Sequence, residues 1–363
     1  GWRDWPAEFR DPQGAAVRAF ALSNSTHIDF HCYVQFEIDR QLGRVETSAR
    51  RAGLALGLYQ DLPIGSMPSG CEEWLHQELF CRDASVGAPP DAFFAGGQNW
   101  GLAPLNPAAA AAARFEFWGA LLRAAFARAG VLRIDHVMGL ARQYWIPRGV
   151  AAGEGAYVRM PADELFGILA LESRRAGAIV VGEDLGTVPE EIPPLLRRWG
   201  VLSTKVLYFE QQQDGRFRRG NSYPKNCFVS ANTHDLATLA GFAVGRDLDL
   251  NERAGILTDG DALQQARVAR REAVAQLRRQ TGATASESLL RPVHEQLAAS
   301  RAALLGVPLD DLGGEVDPVN LPGVADDRYP SWRRRMQRSL KEIAGDADVR
   351  ETLGRLRAKR PLR

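Results

Sequence analysis

Arg174-Arg175-Ala176-Gly177-Ala178-Ile179-Val180-Val181-Gly182-Glu183 reads as the basic last turn of a helix, a glycine, a short apolar run and an acid. The same phrase recurs as RRAGLALGLYQD ending at Asp61, ARAGVLRID ending at Asp135 and RRWGVLSTKVLYFE ending at Glu210. Gly53, Gly130, Gly177 and Gly200 stand where a helix C-cap calls for positive φ. The runs after them are short and apolar, as expected of strands buried on both faces. Between them lie amphipathic helices, one from Arg114 to Ala129 with Phe115, Trp118, Leu122 and Phe126 on one face, another from Asp163 to Arg175 with Leu165, Phe166 and Leu169. Strand and helix in alternation imply a parallel sheet. A fifth strand is expected at Cys227 to Ala231 and a sixth near Pro318 to Leu321.

A closed βα barrel and an open doubly wound sheet both satisfy this pattern, and the acids separate them. Barrel sites gather side chains from the C-terminal ends of several strands, and here successive strands each deliver a carboxylate at that end. An open sheet would concentrate its chemistry at one switch point, with a glycine-rich phosphate loop that this chain lacks. The expected fold is therefore an α/β, (β/α)8 TIM-type barrel represented by about six of its eight strands. A single catalytic barrel domain would span 1–363, interrupted by a long active-site loop at 63–107 and a helical insertion at 246–300, with best helical segments at Ala262 to Leu277 and Ser286 to Ala303. The stretch from Trp332 to Arg363 reads as helical with a solvated basic face.

Lys and Arg number 45 against 44 Asp and Glu, so no net field steers the chain to nucleic acid or an anionic membrane, and a neutral substrate fits. Cys32, Cys71, Cys81 and Cys227 are too few and too dispersed for a disulfide scaffold, which favours a cytoplasmic setting. The alanine run from Ala108 to Ala113 leads into Arg114 and Glu116 and is no membrane span. His27, Asp29 and His31 share helical spacing, but no third ligand accompanies them, so neither metal nor cofactor is expected.

Arg133 and Asp135 lie two apart on one strand and point the same way, and a guanidinium beside a carboxylate favours the ionised form a nucleophile needs. Glu183 ends an apolar run, where desolvation raises a carboxyl pKa and suits it to donate a proton. Asp235, beside His234, is a third candidate, placed to orient sugar hydroxyls. Asp184 reads as a helix cap and Glu210, amid glutamines, as a solvated loop residue or a peripheral subsite group. Sugar binding needs flat apolar faces with amide and charged neighbours. Gln98-Asn99-Trp100 offers that mixture within a loop, and Tyr59, Tyr144 and Trp145 offer it near strand ends.

These residues carry a resemblance to the 4-α-glucanotransferase family, also called amylomaltase or disproportionating enzyme, within the α-amylase barrel group. The matching phrases are LGLYQDLPIG, GAPPDAFFAGGQNWGLAPLNP, VLRIDHVMGL, YVRMPADEL, IVVGEDLGTVP, SANTHDLATLAGF and VNLPGV with YPSWRRRM, in the family's order along nearly the whole chain. The resemblance implies Asp135 as nucleophile, Glu183 as acid/base and Asp235 as transition-state stabiliser. It implies Arg133 and His234 around the cleaved glucose, Asp61 lining the site, and GGQNWG in a flexible loop over the acceptor side. The implied reaction transfers α-1,4-glucan segments between malto-oligosaccharides by double displacement. An α-glucan hydrolase with the same carboxylates, or an inactive glucan-binding fragment, are the alternatives. LGLYQDLPIG resembles the third barrel strand of the family, so strands one and two are expected before Gly1.

Overall fold

A computed structural model describes residues 1–90 and 96–361, so the part of the 63–107 segment at 91–95 lies outside the described residues. The chain divides into two compact units, Gly1–Ser203 and Thr204–Arg363.

In the first unit the strands are, in chain order, β1 (Tyr59–Leu62), β2 (Ala84–Ala88), β3 (Gln98–Leu102), β4 (Val131–Ile134), β5 (Arg142–Pro147), β6 (Ala156–Arg159), β7 (Ile179–Gly182) and β8 (Leu202–Val206), the last beginning at the end of this unit. β1, β4 and β7 pair in parallel, with Asp61 opposite Arg133 and Ile134 opposite Gly182, and β8 pairs alongside β7. The helices Glu116–Phe126 and Ala162–Ala176 cover this sheet, and their registered apolar faces bury Leu122, Phe126, Phe166 and Leu169 against Leu132 and Val180. Each such fully buried side chain contributes roughly 1.5–3 kcal/mol relative to exposure.

Gly177 (φ 64°) and Gly200 (φ 70°) close their helices in the left-handed conformation, as the sequence predicts. Gly130 corrects that reading. It is not among the glycines of positive φ, and its requirement is space: a Cβ there would lie 1.5 Å from the Leu56 carbonyl oxygen.

The described residues of the 63–107 segment form regular elements rather than a bare loop. They include a short helix, Cys71–Leu75, and the strands β2 and β3, which join β5 and β6 in an antiparallel sheet of order β3-β2-β5-β6. Ahead of β1, the 27-residue helix Ser25–Arg51 buries only Ala49 and leaves Phe30, Tyr33 and Phe36 exposed, with His27, Asp29 and His31 on its surface.

In the second unit β9 (Cys227–Ser230) pairs in parallel with β10 (Leu304–Leu305). The sixth strand is thus Leu304–Leu305, and Pro318 to Leu321 is irregular. The expected insertion forms the helices Arg246–Arg253, Gly260–Thr281 and Leu290–Ala298, the second started by Asp259, whose side chain accepts from the Asp261 and Ala262 amides. Leu277, Val293 and Leu297 from these helices pack on Cys227 and Val229. Trp332 to Arg363 is helical only over Leu340–Gly345 and Ala347–Lys359 among the described residues. Six strands of the parallel class are therefore present among the described residues, where a closed barrel needs eight, and the fold is TIM-barrel-like but incomplete. No helix among the described residues is long and apolar enough to cross a membrane.

Candidate active site

The register of β1, β4 and β7 decides where the acids of the first unit emerge. Because Leu62, Ile134 and Gly182 are level, the next residues of β4 and β7, Asp135 and Glu183, leave adjacent strands at the same end. Their amides continue the ladder: Asp135 N–H donates to the Leu62 carbonyl (3.0 Å) and Glu183 N–H to that of Ile134 (2.9 Å). Gly182 makes this approach possible, since a Cβ there would meet Val137 at 2.8 Å.

Arg133 points out of β4 between two carboxylates. One guanidinium nitrogen donates to both oxygens of Asp61 (2.7 Å each) and another to Asp135 Oδ1 (2.7 Å). Burial opposes the Arg133 charge, but the Asp135 charge, the Asp61 hydrogen bonds and the nearby Glu183 outweigh it and raise its pKa above the ordinary value. One oxygen of Asp135 is thereby held by a permanent cation, which orients the group.

Glu183 has the opposite setting. Burial pushes its carboxyl pKa up and the Asp135 charge adds to that, against hydrogen bonds from the Leu185 and His136 amides and the Arg133 charge. Those amides lie 2.7 Å from Oε1 and 2.9 Å from Oε2. The two neighbouring acids thus stand in unequal settings, one gripped by a guanidinium and the other buried against backbone amides.

His136 owes its position to backbone geometry: it adopts φ 44° and ψ 56°, an uncommon conformation for a residue with a Cβ, which turns its N–H onto Glu183. Its ring meets Trp100 edge to face at 5.2 Å between centroids. Burial lowers the His136 pKa, with the Asp135 charge pulling the other way.

Trp100 sits in strand β3 rather than in an irregular loop, on the face it shares with Gln98, whose Oε1 accepts from the indole N–H at 3.4 Å. Asn99, one residue away, points to the opposite face, where its Oδ1 accepts from the Ser85 hydroxyl (2.7 Å) and the Gly101 amide (2.9 Å). The strand therefore brings Trp100 to His136 and turns Asn99 away. Tyr59 stands on β1 two residues before Asp61 and is 44% exposed. Tyr144 is core, its hydroxyl donating to the Ala152 carbonyl, and Trp145 donates to Gln143.

In the second unit Asp235 lies in the turn after β9. Its Oδ2 is 3.2 Å from His234 Nε2, and its Oδ1 accepts from Asn320 Nδ2 at 2.6 Å. The His234 ring packs at 5.2 Å on Trp332. Two acids read as bland behave otherwise. Asp184 caps no helix: it is buried and accepts from the Ser203 hydroxyl at 2.5 Å, while Glu191 precedes the next helix. Glu210 is mostly covered and ion-paired to Arg218 at 2.7 Å. Sequence reasoning missed His136, the Leu185 amide and Asn320. The first and last lie inside the quoted phrases RIDH and VNLPG, but nothing in their residue types announces a backbone donor or a partner 85 positions away.

Comparison with known proteins adds to this geometry. A family described as 4-alpha-glucanotransferase matches residues 1–341. The 4-alpha-glucanotransferase of Mycobacterium tuberculosis (strain ATCC 25618 / H37Rv) is 38% identical over 344 residues, covering 92% of this chain and 47% of the relative. That of Haemophilus influenzae is 37% identical over 358 residues, covering 94% and 51%. The chain thus spans about half the length of the curated relatives it matches. Amylomaltase from Corynebacterium glutamicum superposes with a TM-score of 0.84 at 29% identity, over 98% of this chain and 55% of that one. An amylomaltase from Streptococcus agalactiae in complex with acarbose shares the fold, with a TM-score of 0.79 at 21% identity over 98% of this chain and 68% of that one. With a match across 1–341, this chain belongs to the 4-alpha-glucanotransferase family.

Proposed function

We propose that this chain carries the catalytic residues of a retaining 4-α-glucanotransferase that moves α-1,4-glucan segments between malto-oligosaccharides. The observation that carries the reading is the pair at the ends of β4 and β7: Asp135 held by Arg133, beside a Glu183 whose carboxyl pKa is raised by burial. Glu183 protonates the glycosidic oxygen while Asp135 attacks C1, and the shortened glucan departs. The 4-hydroxyl of an acceptor sugar then attacks C1, giving its proton to Glu183, and Asp135 is released. A retaining site of this kind separates its carboxyl groups by about 5–5.5 Å. Arg133 and His234 bind around the cleaved glucose, Asp61 lines the site with Tyr59 beside it, and Trp100 serves the acceptor. Asp235 is assigned to steadying the distorted ring, on the strength of the family likeness.

Incubating the protein with maltotriose and labelled glucose tests the reaction type. Label entering maltose and longer chains is the expected result. Short products accumulating without label would make the protein a hydrolase, and binding of maltotriose without any turnover would leave only a glucan-binding chain.

A further inference from the structure

The turn that carries His234 and Asp235 is anchored at both ends by one buried side chain. Asp311 lies in the short helix Leu309–Gly313, and its side chain is 0% exposed. Its Oδ1 accepts from the Leu239 amide at 2.7 Å, and its two oxygens accept from Asn232 Nδ2 at 3.2 and 3.0 Å. Asn232, itself 4% exposed, opens the turn, and Leu239 begins the helix Leu239–Val244 that follows it. His294 Nε2 stands 3.4 Å from Oδ2, also fully buried. A second anchor adjoins: the Thr238 hydroxyl donates to the Glu315 carbonyl at 2.5 Å while accepting from the Gly241 amide at 2.9 Å.

We propose that Asp311 is a positioning residue for Asp235: by gripping Asn232 and the Leu239 amide together it fixes the span of the turn, and so the direction in which Asp235 leaves it. The proposal rests on the reading of Asp235 as one of the reaction's carboxylates. A carboxylate suits the place because it only accepts, and the two groups hydrogen-bonded to it, the Asn232 NH2 and the Leu239 amide, both donate. An amide at 311 would set one NH2 against another and leave a buried donor unpaired. A merely space-filling residue would not depend on that polarity. Exchanging the pair, so that 232 accepts and 311 donates while still accepting from Leu239, keeps the bond between 232 and 311, the bond to Leu239 and the charge count.

The experiment compares the parent chain with Asp311→Asn and with the exchanged pair Asp311→Asn plus Asn232→Asp. It reads deuterium exchange of 231–238 together with kcat and KM for maltotriose disproportionation. In Asp311→Asn, exchange of 231–238 rises about tenfold, and kcat falls about tenfold with KM within about twofold, as expected for one lost buried bond and a displaced group. The exchanged pair restores both to within about threefold of the parent. A folded Asp311→Asn with unchanged exchange in the turn overturns the proposal, as does accelerated exchange throughout 204–361 or a folded exchanged pair that restores nothing. Should Asp311→Asn fail to fold, a folded exchanged pair with a protected turn supports the proposal, and a pair that fails to fold or leaves the turn unprotected overturns it. A parent chain without transfer activity contradicts the proposed function instead, and the deuterium arm then decides the anchoring alone. A loosened turn with unchanged kcat separates Asp311 from catalysis and overturns its assigned role.

Discussion

Asp135 and Glu183 leave parallel strands one residue past a registered pair, so the hydrogen-bond ladder that builds the sheet also sets their positions. Asp235 leaves an irregular turn and is held by side chains: His234, Asn320 and, through the turn itself, Asp311. The first construction is stiff because many backbone bonds must break together before either acid moves. The second depends on a few polar contacts, each contributing about 1 kcal/mol and each removable by one substitution. Strand ends thus hold the pair proposed to exchange a covalent bond and a proton, whereas a side-chain-braced turn holds the acid proposed for electrostatic support.

The contrast is sharpest at Glu183. Glu183→Gln lowers transfer from maltotriose by about 10²–10⁴-fold, the usual contribution of a positioned acid. Formation of the glycosyl-enzyme from a glycosyl fluoride, whose leaving group needs no proton, falls far less. Because burial raises the Glu183 pKa above 4.5, the acid form is lost as pH rises through that higher value, so kcat/KM has an alkaline limb that Glu183→Gln abolishes. Stability follows the same sign. The folded chain holds this proton more tightly than the unfolded one, so the contribution is full below pH 4.5 and disappears as pH passes the raised value. The urea midpoint of the parent therefore falls relative to that of Glu183→Gln as pH rises from 4.5 through the raised value.

Arg133→Ala comes next. It leaves Asp61 and Asp135 facing each other without a cation, and transfer falls roughly 100-fold, since about 1 Å of misplacement suffices for that loss. Arg133→Lys recovers only part of it, because an ammonium cannot reproduce the fork onto two carboxylates. Full recovery would show that charge alone matters there.

Asn320→Ala removes one hydrogen bond from Asp235 and leaves the His234 contact, so kcat falls about fivefold to tenfold, equivalent to roughly 1–1.5 kcal/mol. A loss as large as that of Arg133→Ala would break the distinction between ladder-held and side-chain-held acids.

The smallest effects belong to β3. Trp100→Ala slows transfer to an acceptor more than formation of the glycosyl-enzyme, by a few-fold, measured by pre-steady-state and product analysis. Asn99→Ala, on the other face of the strand, changes either step by less than about twofold. Equal effects of the two would mean that both faces of β3 meet substrate.

The strand-end acids were legible in the sequence because period-2 alternation puts Arg133 and Asp135 on one side and a helix–glycine–strand phrase marks where each run ends. Gly130 shows the limit of that phrase. It looks like the other capping glycines, yet it is needed for a close approach to Leu56, which depends on a partner 74 positions away. The family likeness named Asp235 but not its support, since Asp311 and Asn320 lie some 80 residues further on and nothing local marks them as partners. Trp100 was recognised as a sugar-facing candidate, but its glycine-rich surroundings suggested a loop, and only pairing of β3 with β2 separates it from Asn99. His136 escaped notice because its contribution comes from a backbone amide and a left-handed φ, which its side chain does not announce.

The central claim is that Asp135 forms the covalent bond while Glu183 handles the proton. Treating the protein with a fluorinated glycosyl fluoride, digesting it and locating the added sugar by mass spectrometry tests this most directly. The account predicts one glycosyl group on the peptide containing Asp135, attached to its carboxylate and released by an added malto-oligosaccharide acceptor. A label on Glu183 or Asp235, or turnover of the natural substrate with no covalent adduct at any carboxylate, would contradict it.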